Sequence, residues 1–208
     1  MTDSGGDIPS GSDDSPDERR SGARAASVFR PVLIEIDGFT GFSLIRNLSP
    51  RGMMGQVYAQ FASEQAITVH FNPDTFATGR IVWSRDQRIG VEFDSEVDVD
   101  AILSAFGKQY EGKKLNRAPR LQIDCSGELL ILDKSVTVNV QDISQRGVKV
   151  ATSILSPGEE VTIRLPDMKQ KKAIVRWVQE GTCGLNFLVP LGFEELARWV
   201  IERQSLAA

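Results

Sequence analysis

Two short stretches of the chain hold polar residues at one spacing: Asn47-Leu48-Ser49-Pro50-Arg51-Gly52 and Asp142-Ile143-Ser144-Gln145-Arg146-Gly147. In each, a short acceptor side chain and a hydroxyl lie two residues apart, so on an extended backbone they project to the same side. The glycine three residues after the serine is expected to permit a turn with positive φ. Taken alone, such a hexapeptide reads first as an Asx- or Ser-capped turn. Arginines raise a second reading. Arg19, Arg20, Arg24 and Arg30 precede the first hexapeptide, and Lys113, Lys114, Arg117 and Arg120 precede the second. Guanidinium groups grip phosphate with two parallel N–H bonds and stack on purine faces, which an ammonium cannot do. An arginine-bearing arm beside a carboxylate-and-hydroxyl pair has the parts for an anionic guanine ligand. Arginine would hold phosphate and ring, while Asp142 accepts from the guanine N1–H and N2–H edge.

Other chemistries find little support. The single histidine, His70, falls on a strand whose counterpart elsewhere in the chain is Arg164, so it reads as a half-exposed strand residue. Cys125 and Cys183 have no CxxC spacing and read as small packed residues rather than zinc ligands or a disulfide framework. The acid pairs Glu159-Glu160 and Glu194-Glu195 fall at a turn and at a helix start, which are ordinary solvated positions. No Gly-rich phosphate loop of the Walker type is present. The expectation is a protein that is not an enzyme and needs neither cofactor nor metal.

The elements that carry the hexapeptides are themselves repeated. The hexapeptides stand 95 residues apart; Ile67-Thr68-Val69-His70-Phe71 returns as Val161-Thr162-Ile163-Arg164-Leu165 at 94. Trp83 matches Trp177, and Gly90-Val91-Glu92-Phe93 matches Gly184-Leu185-Asn186-Phe187, again at 94. That period is too long for a solenoid and fits two copies of one small domain. In the first copy, runs at Pro31–Asp37, Gly41–Arg46, Ala66–Phe71, Arg80–Ser84 and Arg88–Phe93 read as strands. The second gives Leu121–Leu132, Val136–Val140, Val148–Ala151, Glu160–Leu165, Ala173–Val178 and Gly184–Leu188. Strands so short and evenly spaced favour a closed six-stranded antiparallel barrel. Each barrel is followed by a helical stripe, Ile102, Phe106 and Tyr110 in one and Leu196, Trp199, Val200 and Arg203 in the other. Asp98 and Asp100 suit the positive end of the first helix. The Lys169-Gln170-Lys171-Lys172 run reads as an exposed hairpin loop. The expected division is an acidic tail over 1–22, a first unit over 23–110, an arginine-bearing arm over 111–120 and a second unit over 121–208.

Charge sets the class of partner. The net charge of −4 belongs to the first 18 residues, which hold six acids and no base. The remainder carries 24 bases against 22 acids, so it lacks the basic excess of a nucleic-acid binder, and two tyrosines offer little stacking surface. No apolar run reaches the ~18–20 residues of a membrane span, and the N-terminus has no secretory pattern. A cytoplasmic protein is expected.

In the order arginine arm, [Asp/Asn]-x-Ser-x-x-Gly, Gly-[Val/Leu]-x-Phe strand and terminal helix, both copies resemble PilZ domains. The resemblance implies a barrel-plus-helix fold and a bacterial receptor for the second messenger cyclic di-GMP that signals to a protein partner. Carried over residue by residue, it marks Asn47, Ser49 and Gly52 in the first copy and Asp142, Ser144 and Gly147 in the second. The family's RxxxR arm is literal in Arg20-Ser21-Gly22-Ala23-Arg24, while Arg30 abuts the first strand. In the second copy Arg120 fits the last arginine; Asn116 stands at the first arginine's place, with Arg117 beside it. The resemblance further implies that ligand ordering of the 111–120 arm would clamp the two barrels. An adaptor that binds protein partners without ligand is the alternative.

Overall fold

Alternating buried and exposed residues wind the chain into two barrels. The computed structural model describes residues 26–107, 118–131 and 134–207. The acidic tail, Arg20, Arg24 and Arg117 lie outside the described residues. The first barrel comprises β1 (Ala26–Ile36), β2 (Phe39–Ser49), β3 (Gly52–Gln56), β4 (Ala66–Asn72), β5 (Thr75–Arg85) and β6 (Arg88–Phe93). It closes in the order β1-β2-β3-β6-β5-β4, all antiparallel, and α1 (Val99–Gly107) follows. The second repeats the plan with β7 (Leu121–Ile131), β8 (Lys134–Ser144), β9 (Gly147–Ala151), β10 (Glu160–Arg164), β11 (Lys171–Gln179), β12 (Thr182–Phe187) and α2 (Phe193–Ala207). Closure pairs every strand on both sides, so neither sheet keeps a free edge.

Residues that read as loop in the sequence turn out to be strand. β1 starts at Ala26, five residues before the expected Pro31, which puts Arg30 inside the strand. β3 (GMMGQ) was hidden because its glycines break the apolar alternation. Lys171 and Lys172 open β11 rather than a loop, whereas β10 starts at Glu160 as expected. Ile102 and Phe106 are buried as their spacing predicts, whereas Tyr110 lies outside the described residues. Asp98 caps α1, its carboxylate accepting from the Ala101 N–H at 2.9 Å.

The barrels share one core boundary. On α2, Leu196, Trp199 and Val200 face the second barrel's interior, each burial stabilising by about 1.5–3 kcal/mol. The same helix also faces the first barrel. Phe42, from β2, is buried within the second barrel's apolar cluster, with Leu33 and Tyr58 packed beside it. The Gln204 amide bonds the backbone of Thr40, accepting from its N–H at 3.2 Å and donating to its carbonyl. The Arg198 guanidinium lies 4.9 Å over the Tyr58 ring, and Phe193 lies 6.1 Å from it. Burial, and then the Glu194 carboxylate, push the Tyr58 phenol up.

Candidate functional site

Each hexapeptide spans the hairpin between the second and third strands of its barrel. Ser49 pairs with Gly52, and Ser144 with Gly147. The serine hydroxyls turn back across the hairpin, Ser49 donating to the Gly52 carbonyl at 3.0 Å and Ser144 to the Gly147 carbonyl at 3.2 Å. In this state the serines therefore do the work of turn caps. The glycines serve a purpose other than the expected one. The glycines with positive φ among the described residues are Gly38, Gly158 and Gly181, and neither motif glycine is among them. What excludes a side chain is the neighbouring strand: a Cβ on Gly52 would stand 2.3 Å from the Val91 carbonyl oxygen, and one on Gly147 1.9 Å from that of Leu185.

A bulge precedes each motif. The register of β2 on β3 shifts between Ile45 and Asn47, and that of β8 on β9 between Val140 and Asp142. The extra residue turns two consecutive side chains outward, Arg46 with Asn47 and Gln141 with Asp142, between inward Ile45 and Leu48 or Val140 and Ile143. In the second barrel the result is an ion pair: Arg120 Nη1 donates to Asp142 Oδ1 at 2.5 Å. Asp142 is only 7% exposed, and among the described residues its ion-pair partner is Arg120, at the foot of β7.

The register separates the arginine positions. Leu121 faces Ile143 as Ala26 faces Leu48, so the residue matching Arg120 is Ala25. Arg24 stands one residue from that place, outside the described residues. Arg30 faces Ile45, the position of Cys125 in the second barrel, and is exposed within the strand. Asn47 Oδ1 is buried without a hydrogen-bond partner among the described residues.

Following the pairs across each sheet adds side chains whose role sequence reasoning missed. On the outer face of the second barrel, Gln122, Asp142, Lys149, Gly184 and Trp177 stand in one transverse row. The first barrel has Ser27, Asn47, Met54, Gly90 and Trp83. Gly184 is bare because the Trp177 indole lies across it, its Nε1 2.2 Å from where a Cβ would stand; Trp83 lies across Gly90 in the same way. Trp177 remains 38% exposed. A cation, a carboxylate and an aromatic face thus share one surface. The signal was present as the constant offset of the two tryptophans and their glycine partners, read there as a mark of the repeat.

The motif turn is wired to the helix that follows. Leu191 N–H donates to the Gln145 carbonyl at 2.8 Å, and Gln145 Nε2 donates to the Leu191 carbonyl at 3.2 Å. The first barrel repeats the link through Val97 N–H and the Pro50 carbonyl at 2.8 Å. Elsewhere, His70 sits half-buried on β4 with Nε2 3.2 Å from Glu35 Oε1. Burial pushes both thiols up, that of Cys183 to about 11.

A family model described as the PilZ domain matches the sequence twice, over residues 18–106 and 114–202. No match was found among curated proteins. Among solved structures, the Borreliella burgdorferi PlzA protein in complex with c-di-GMP is similar at 13% identity, over 84% of this chain and 88% of that one, with a TM-score of 0.36. YcgR from Escherichia coli in complex with c-di-GMP gives 12% identity over 86% and 85%, TM-score 0.36. The Bacillus subtilis inhibitor of motility (MotI/DgrA) gives 15% over 87% and 99%, TM-score 0.35. Likenesses this distant say nothing about what the present chain binds.

Proposed function

Since the chain belongs to the PilZ domain family, with two such domains in tandem, we propose that it is a receptor for cyclic di-GMP whose principal site is the outer face of the second barrel. The observation that carries this reading is the Arg120–Asp142 pair, with Lys149 and Trp177 in the same row. Ligand and pair are in exchange. The Arg120 fork leaves Asp142 for a phosphate, and the freed carboxylate accepts from the guanine N1–H and N2–H edge. Arg117, on the same arm, adds a second cation for the dianion, and Ser144 and Gly147 keep the hairpin in register. In the first copy, Asn47, Ser49 and Gly52 hold the corresponding places, with Arg20, Arg24 and Arg30 as the available cations.

The output runs through α2. Leu191, two residues before it, is bonded to the motif turn at Gln145, and the helix's outward face lies on the first barrel, so a displaced turn shifts the contact between the barrels. A changed interdomain surface is what a protein partner would read. Calorimetric titration of cyclic di-GMP into the full chain tests the reading. Asp142→Ala and Arg120→Ala should each remove the tight component, losing a charge-assisted bond of about 1.5–3 kcal/mol, roughly 10- to 150-fold in affinity. A wild-type chain that takes up no cyclic di-GMP would refute it.

A further inference from the structure

Beside the motif, the two barrels differ sharply at positions that correspond by register. In the first, the shift between Ser27 and Arg30 exposes Phe29, and the bulge in β2 turns Arg46 toward it. The Arg46 guanidinium lies 4.8 Å over the Phe29 ring, yet Phe29 remains 67% exposed. The next residue along β2 is Asn47, whose Oδ1 is shut off from solvent with nothing donating to it among the described residues. In the second barrel the same two places hold Asp124 and Gln141, lining an open groove of about 640 Å³ with Gln122, Ile123 and Asn139. There the Asp124 carboxylate accepts from Asn139 Nδ2 at 2.5 Å. One barrel thus offers a ring and a cation where the other offers a carboxylate and an amide.

We propose that Phe29 and Arg46 form a second purine-binding platform, on the first barrel, for a phosphate-bearing guanine nucleotide. A base stacks on the Phe29 ring, and Arg46 turns its fork to the adjoining phosphate. The platform borders the docked helix: Thr40 and Phe42 lie under α2, and Leu44 and Arg46 continue along the same face of β2. Occupation there bears directly on the interdomain contact. The platform rests on the reading of the chain as a cyclic di-GMP receptor, and its test separates the two.

Cyclic di-GMP is titrated calorimetrically into the full chain as wild type and as Asp142→Ala, the latter also carrying Phe29→Ala or Arg46→Gln. Both added positions face solvent, and matching melting curves verify that the variants fold. The expected result is residual binding in Asp142→Ala that Phe29→Ala weakens by roughly 5- to 150-fold, the range for loss of one base–aromatic stack. Phe29→Tyr, which keeps the ring, should bind as well as the parent. Residual binding untouched by either added substitution overturns the platform, and so does an Asp142→Ala chain with no residual binding. In both cases the receptor stands. No uptake by wild type overturns receptor and platform together.

Discussion

Replacing Gly147 by alanine separates the two explanations for a glycine at the end of the motif. Its Cβ would stand 1.9 Å from the Leu185 carbonyl oxygen and 3.0 Å from the Leu185 carbonyl carbon, against 3.4–4 Å for ordinary contact. The obstacle is backbone on a central strand, so no rotamer change relieves it, and β9 must move from β12 by about 1.5 Å at this point. Forcing a methyl group into closed packing costs about 1–3 kcal/mol, and one or two weakened ladder bonds add about 0.5–1.5 kcal/mol each. The sum is a loss of roughly 1.5–6 kcal/mol in the second barrel. A glycine kept for positive φ would behave otherwise, because asparagine tolerates that region and would recover part of what alanine loses. Urea unfolding of Gly147→Ala and Gly147→Asn, followed by tryptophan fluorescence, decides between them. Asparagine should be no better than alanine. A stability for Gly147→Asn within about 0.5 kcal/mol of wild type would refute the close-approach reasoning.

Three further outcomes follow from the same contacts. A double-mutant cycle over Arg120→Ala and Asp142→Ala should give a coupling of roughly 1–2 kcal/mol in chemical unfolding, discounted because a third of the Arg120 side chain faces water; no coupling would mean that the pair does not persist in solution. Phe42→Ser should loosen the barrels without unfolding either, read as a larger radius of gyration by small-angle scattering, while an unchanged radius would place the junction elsewhere. The Cys183 thiol, raised by burial from 9.0 to about 11, stays largely neutral in the fold while the unfolded chain ionises; stability should therefore be intact below pH 9 and fall by about 2 kcal/mol as pH rises to 11. Cys183→Ala should make that slope shallower, the remainder coming from Cys125 and Tyr58, which burial also raises.

The barrels were legible in the sequence because their signal is local and doubled: period-two alternation, turn residues and one constant offset reinforce each other. β3 escaped because two of its five residues are glycine. Those glycines record contacts with other strands, Gly52 with Val91 and Gly55 with the Ser43 hydroxyl, which no local pattern reveals. The candidate site was legible as residue types but not as a surface. Asp142, Lys149 and Trp177 lie on three different strands, and only the pairing register lines them up. The bulge at Arg46 and Gln141 was equally invisible, since an extra residue in one strand is defined by its partner. Without that register the sequence left open whether Arg24 or Arg30 corresponds to Arg120; Arg30 sits five residues further along its strand than Arg120's place.

The repeat is nearly exact in fold and deliberately broken in surface. On the outer face of β1 and β2, Leu33, Phe42 and Leu44 present an apolar strip; their counterparts are Glu128, Thr137 and Asn139. The first strip receives α2, whereas the second is polar, with Glu128 paired to Arg164 at 3.0 Å. The second barrel therefore offers no counterpart of the apolar strip on which α2 docks. The helices diverge to match. Ile102 and Phe106 of α1 join the first barrel's own core. By contrast, α2 turns Leu196, Trp199 and Val200 to its own barrel and Phe193, Arg198 and Gln204 to its neighbour. A helix packed on both sides cannot follow its motif turn without moving the neighbouring barrel. That shared packing joins the two barrels through α2.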